Sequence, residues 1–313
     1  MTRALVFPGQ GSQSVGMGKA LFDAYPEACE VFEEVDKALS QNLSSLMFNG
    51  PAEELNLTEN TQPAIMAVSM AVIRVLEKRS NFRLPQAAQF VAGHSLGEYS
   101  ALCAAGSLTL SDTAKLLKTR GQAMQRAVPV GVGGMAALIG ADLQAAREIA
   151  AAAAQGEVCA AANDNAPGQV VISGNIAAVE RAIALAAQRG FKGLKLKVSA
   201  PFHCLLMQPA ADVVRQALEK VDIKPPVVPV IANVSAQPVS DPAIIRKLLV
   251  EQVTGSVLWR ESVLFMKQQG VTQLIECGTG NVLSGMAKRI DKEIVATALS
   301  SPENIEAFIK ALA

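Results

Sequence analysis

Gly93-His94-Ser95-Leu96-Gly97 sets a serine between glycines in a G-x-S-x-G pattern. That pattern suits a sharp strand-to-helix elbow with the hydroxyl exposed at its tip. Residues 90–92 form a short apolar run before it, and a helix-like segment follows. The unpaired N–H groups of a helix N-terminus favour the negative charge that develops on an acyl carbonyl under attack. Ser95 is therefore the candidate nucleophile, a plain helix cap being the alternative. Serine needs a base, most often histidine, and the chain has only two, His94 and His203. Adjacent side chains diverge, which makes His94 an awkward partner for Ser95 and leaves His203, just after Pro201-Phe202. Cys204, next to His203, is assigned to packing on the same ground. Arg120, with Leu116 and Met124 four residues to either side, lies on an apolar helix stripe where an unpaired guanidinium is costly. A fixed carboxylate, a substrate carboxylate in a bidentate fork, or the last carbonyls of its own helix would each satisfy it.

Positioning these groups calls for parallel strands feeding helices. Residues 3–7 and 90–92 are apolar runs that end at Pro8-Gly9 and Gly93, and both read as buried strands. Residues 64–76 have helical spacing with Pro63 in the first turn. Residues 99–105 and 111–124 read as two more helices, the second capped by Ser111 or Asp112. Further on, 133–139, 158–162, 169–173 and 193–198 read as strands and 142–154 and 176–188 as helices, with residues 163–168 looping between the middle strands. That order is the split βαββαβ unit of a ferredoxin-like domain. Val128-Pro129-Val130-Gly131 and Ser199-Ala200-Pro201 look like its borders. Helical patterns at 205–221 and 242–252 and apolar runs at 227–232 and 273–277 follow. The expected fold class is α/β: a catalytic body of residues 1–127 and 199–313, interrupted by a small subdomain of residues 128–198.

Composition narrows the function. The 313 residues carry 28 Lys plus Arg against 28 Asp plus Glu, so no cationic excess points to nucleic acid. Half the residues are hydrophobic and 18% are charged, which supports a sizeable core. No stretch reaches the roughly 18–20 apolar residues of a membrane span, and the N-terminus lacks the apolar region of a secretory signal. No membrane association and a cytoplasmic location are expected. Five scattered cysteines without CxxC argue against a disulfide framework or a zinc site. Without GxxxxGK[ST] or GxGxxG, no metal or bound redox cofactor is expected.

Val6-Phe7-Pro8-Gly9-Gln10-Gly11-Ser12-Gln13, Thr61-Gln62-Pro63-Ala64, Gly93-His94-Ser95-Leu96-Gly97-Glu98, Arg120-Gly121 and Pro201-Phe202-His203 occur in this order. With them the chain resembles the malonyl-CoA:acyl carrier protein transacylases over essentially its whole length. The resemblance implies an α/β-hydrolase-like body with an inserted ferredoxin-like subdomain. It implies ping-pong chemistry, in which Ser95 takes malonyl from coenzyme A as an ester and His203 moves the proton. The phosphopantetheine thiol of an acyl carrier protein then attacks the ester, so malonyl-CoA and the carrier are substrates and not cofactors. The family pattern further implies an oxyanion hole from the Gln10 and Leu96 N–H groups and Arg120 as binder of the malonyl carboxylate. Asn163 would line the site. The Gln252 main-chain carbonyl would orient His203 where hydrolases use an acid; Glu251 or another acid is the alternative. Leu96 and Phe202 match the malonyl-type pattern, Phe202 leaving little room for an α-methyl branch.

Arg189, Lys192, Lys195 and Lys197 have no acid between them. Lys195 and Lys197 would share one strand face, opposite Leu194, Leu196 and Val198. An acidic carrier could dock there, the plainer reading being a solvated face. A monomer is expected. Three rivals share these residues: a serine hydrolase or thioesterase admitting water, a malonyltransferase serving malonate decarboxylase or a polyketide synthase carrier, and a silent carrier-binding module. The last would need neither Ser95, His203 nor Arg120.

Overall fold

A computed structural model describes residues 2–129, 131–198 and 200–312. Val130 and Ser199, within the two expected subdomain borders, lie outside the described residues. Among the described residues ten strands run in chain order: β1 (Arg3–Phe7), β2 (Phe90–Gly93), β3 (Gly133–Ile139), β4 (Cys159–Ala166), β5 (Gln169–Asn175), β6 (Lys192–Lys195), β7 (Val230–Ile231), β8 (Pro238–Val239), β9 (Gln273–Cys277) and β10 (Val295–Leu299). They form a six-stranded sheet in the order β10-β9-β1-β2-β7-β8 and a four-stranded sheet in the order β4-β5-β3-β6. The first is parallel except for β8; the second is antiparallel throughout. The molecule is thus mixed α/β.

The central strands of the large sheet are apolar because helices cover both faces. Leu5, Phe7 and Val91 join one buried cluster, and Ala4, Val6 and Ala92 the other. The helix Thr58–Arg79 on the first face is buried along most of its length. It starts six residues before the expected 64, and Pro63 sits inside it rather than at its start. The polar Asn60, Thr61 and Gln62 conceal that first turn from a reading of apolar spacing, yet all three are buried because their side chains are bonded. Thr61 donates to the Leu55 carbonyl at 2.6 Å, Asn60 to the Glu54 carbonyl at 2.9 Å, and Gln62 accepts from Arg120 at 2.8 Å. The Leu110–Ala127 helix is capped by Thr109, accepting from the Asp112 N–H at 3.0 Å, not by Ser111 or Asp112.

In the small sheet, helices Leu143–Ala154 and Ile176–Gln188 cover one face through an alanine-rich core. β4 and β5 reach towards each other further than expected, leaving Pro167-Gly168 as the turn between them. β4 is also joined to the large body. Asp164 N–H donates to the Val257 carbonyl at 2.9 Å and Val257 N–H to the Ala162 carbonyl at 2.8 Å, and Arg260 pairs with Asp164 at 2.9 Å. Among the described residues no helix is long and apolar enough to cross a membrane.

Candidate active site

The elbow forms where β2 ends and the helix Leu96–Ala104 begins. Ser95 takes φ 53° and ψ −108°, a strained conformation for a residue with a Cβ. Asn233, just past the short β7, holds it there. Its Oδ1 accepts the Ser95 N–H at 2.7 Å while its Nδ2 donates to the Gly93 carbonyl at 2.7 Å. One side-chain amide thus satisfies backbone groups on both sides of His94.

Ser95 Oγ–H faces His203 Nε2 at 2.8 Å, and His203 Nδ1–H donates to the Gln252 main-chain carbonyl at 2.9 Å. That carbonyl can only accept, so the proton stays on Nδ1 and Nε2 is free to take the serine's. His203 itself has φ 59°. Burial, then the neighbouring Arg120 charge, pushes its pKa down to about 3, leaving a neutral base at ordinary pH. His94 turns away, its Nε2 donating to Asn165 Oδ1 at 2.8 Å beside the Trp259 ring. Cys204 is buried with its thiol on the Pro201 carbonyl at 3.2 Å.

Arg120 is only 1% exposed. Its guanidinium donates to Gln62 Oε1 at 2.8 Å, to Gln252 Oε1 at 2.9 Å and to Ser95 Oγ at 3.0 Å. It lies mid-helix and is bonded neither to its helix's final carbonyls nor, among the described residues, to a carboxylate. Neither protein partner weighed for it is bonded to it; two amide oxygens and a hydroxyl take its donors instead. A cleft of about 350 Å³ opens over these groups, and Gln10, Asn163, Phe202 and Lys197 line it. The Gly9 backbone lies against the elbow, where a Cβ would stand 2.7 Å from the His94 carbonyl oxygen. Leu96 opens its helix, so no preceding turn accepts its N–H. Asn163 is not in a loop: it lies within β4, where register shifts at Ala161/Asn163 and Asp164/Ala166 re-aim the side chains.

The cations are less uniform than their spacing suggests. Arg189 pairs with Glu148 at 3.2 Å and Lys195 with Glu180 at 3.1 Å, whereas Lys192 and Lys197 have no ion pair among the described residues. β6 stops at Lys195, so the expected alternation fails: Leu194 is 42% and Val198 36% exposed.

Gln62, Glu98, Asn165 and Asn233 were not singled out from sequence, although Gln62 and Glu98 fell within quoted motifs. Glu98 is buried beneath the elbow, and burial raises its pKa to about 7. Its folded value lies above the usual 4.5. The folded state therefore binds the extra proton between pH 4.5 and 7, and stability on this account falls as pH rises through that window. Glu98→Gln removes this dependence and is expected to gain on the wild type, by up to about 3 kcal/mol, between pH 4.5 and 7. Thermal melts at pH 5 and pH 8 check this; parallel shifts in both proteins refute it.

Residues 4–292 match the family model described as acyl transferase domain. The chain is 45% identical to a Bacillus subtilis malonyl CoA-acyl carrier protein transacylase, over 99% of this chain and 96% of that protein. Among solved structures it is similar to an acyl-carrier-protein-S-malonyltransferase from Bartonella henselae, with TM-score 0.97, 54% identity, and 100% and 99% of the two chains covered. It is also similar to a malonyl-transacylase solved in complex with a type II PKS acyl-carrier protein, with TM-score 0.96, 40% identity, and 99% and 100% covered.

Proposed function

We propose a function that starts from family membership: this chain belongs to the acyl transferase family, among the malonyl CoA-acyl carrier protein transacylases. It moves malonyl from coenzyme A to the phosphopantetheine thiol of an acyl carrier protein, supplying extender units for fatty-acid synthesis. The observation that carries this reading is the continuous Ser95–His203–Gln252 carbonyl relay with Arg120 at 3.0 Å from the nucleophile.

His203 Nε2 takes the Ser95 proton as Oγ attacks the thioester carbonyl, and the Gln252 carbonyl stabilises the imidazolium. The Gln10 and Leu96 N–H groups receive the oxyanion. When the C–S bond breaks, His203 returns the proton to the leaving thiolate. The second half runs in reverse on the malonyl-Ser95 ester, with the carrier's thiol as nucleophile. The malonyl carboxylate lies one methylene from the reacting carbonyl, within reach of a guanidinium already at the nucleophile. Phe202 narrows the space beside that methylene, and Asn163 contributes to the lining of the same cleft. No resident metal or redox cofactor enters the scheme.

The small sheet, with a crossover helix after β3 and another after β5, is read as a ferredoxin-like insert of residues 128–198. The large sheet is read as an α/β-hydrolase-like body of residues 1–127 and 199–313. The carrier approaches beside Lys197, with Lys192, Lys195 and Arg189 forming the outer, partly neutralised cations of its acidic partner's dock. Every group in the scheme comes from one chain, which fits a monomer. Five free cysteines fit the cytoplasm. A polyketide synthase carrier is the second reading, favoured by the relative solved with such a carrier.

Intact-protein mass spectrometry tests the assignment. On mixing with malonyl-CoA the protein should gain one malonyl group, Ser95→Ala should gain none, and holo-carrier should remove it. Loss of the adduct at the same rate without carrier would indicate a hydrolase.

A further inference from the structure

Beneath the nucleophile lies a carboxylate that the scheme above does not use. Glu98 is 3% exposed, and its Oε2 accepts from the Asn233 N–H at 3.0 Å and from Gln252 Nε2 at 2.8 Å. The Gln252 side chain is fully buried, and its two ends meet opposite chemistry. Nε2 faces acceptors: the Ser95 carbonyl at 2.9 Å, Glu98 and, at 3.4 Å, Asn233 Oδ1. Oε1 faces a donor, the Arg120 guanidinium at 2.9 Å. Turning the amide over would set its oxygen against those acceptors and its NH2 against a cation.

Arg120 has no bonded carboxylate among the described residues, and its aim depends on two amides. Gln62 is the looser, since among the described residues its Nε2 meets only the Met124 sulfur, at 3.6 Å, a weak acceptor. Gln252 is the firmer because a buried carboxyl oxygen anchors it. We propose that Glu98 is a positioning residue for acyl-group selection: it holds the Gln252 amide with its oxygen towards Arg120 and so keeps the guanidinium aimed at the acyl chain on Ser95. This rests on the reading of Arg120 as the binder of the malonyl carboxylate.

Acetyl-CoA has no carboxylate and so reports on the rest of the machinery. Loss of Glu98 acting only as a support for the elbow would slow malonyl and acetyl loading alike; loss of Glu98 as a positioner lowers their ratio. The test measures single-turnover loading of Ser95 from each thioester in wild type, Glu98→Met, Glu98→Gln, Gln252→Leu, the Glu98→Met/Gln252→Leu double variant and Arg120→Ala. Met fills the volume with no more than a weak sulfur acceptor; Gln keeps an acceptor oxygen for both donors. Leu at 252 keeps the main-chain carbonyl that orients His203.

Glu98→Met and Gln252→Leu are each expected to lower the malonyl-to-acetyl ratio about tenfold, the scale of one lost hydrogen bond to a charged group. The double variant should fall no further, because both changes remove the same link. Glu98→Gln should keep the ratio within about threefold of wild type. An unchanged ratio in Glu98→Met, or losses that multiply in the double variant, overturns the proposal. If Glu98→Met does not fold, Glu98→Asp takes its place, keeping the charge but not the reach, with the same fall expected. An unchanged ratio in Arg120→Ala would overturn the clamp reading itself. A fall there without one in Glu98→Met removes only the role given to Glu98.

Discussion

Arg120→Ala is expected to slow malonyl loading of Ser95 by about a hundred- to a thousandfold, the cost of leaving one partner of a buried charge pair alone. Acetyl loading should fall by only about tenfold, the lower end of the worth of one charge-assisted contact. That contact is the 3.0 Å bond from Arg120 to Ser95 Oγ, which acetyl loading also loses. Rapid-quench time courses with the two thioesters separate the two effects, and equal losses would leave Arg120 as a support of the nucleophile alone. Arg120→Lys should recover little. An ammonium is a point charge, whereas the guanidinium spans Gln62, Gln252 and Ser95 at once.

Alanine at either elbow glycine should cost folding rather than chemistry. A Cβ on Gly93 would stand 1.9 Å from the Gly97 carbonyl carbon, and one on Gly97 would stand 2.3 Å from the Phe7 carbonyl oxygen. Both contacts are with backbone, which has no rotamer to yield. Destabilisation above about 3 kcal/mol is expected for each, visible as a lower urea midpoint or loss of soluble protein. Gly285→Ala is the control: it lies in the helix Val282–Ile290 with nothing within 4 Å of an added Cβ. There a gain of up to about 1 kcal/mol is expected, since alanine restricts the unfolded chain and suits a helix. Wild-type stability in Gly93→Ala or Gly97→Ala would mean that the elbow's close approach is not required.

Ser95 could be read from sequence because an elbow imposes glycines at fixed spacing, and His203 because histidine is scarce here. The apolar stripe around Arg120 showed that its charge needed a partner but could not name Gln62 and Gln252, which come from distant segments. Asn233 gave no signal, since an asparagine after a short apolar run also suits an ordinary turn. Asn163 was misplaced into a loop because Asn163-Asp164-Asn165 has turn composition, whereas in β4 these residues are buried. Asp164 is held there by Arg260 and Asn165 by His94. The small-sheet order was evident from alternating texture, but β6 is shorter than its apolar alternation suggested. The helices Pro26–Leu39 and Trp259–Gln268 and the strand β10 went unassigned, lying outside the segments bounded by strong turn signals.

The join between β4 and Val257 also limits how the molecule can breathe. Two main-chain hydrogen bonds and the Arg260–Asp164 pair fasten one margin of the small sheet to the body. Moving that margin away from the body means breaking main-chain bonds and an ion pair whose carboxylate is buried. Asn163, bridged to Val257 within this seam, is thereby held in place in the cleft lining. The lining of the cleft on this side is thus continuous with the frame of the large body and cannot shift without breaking main-chain bonds.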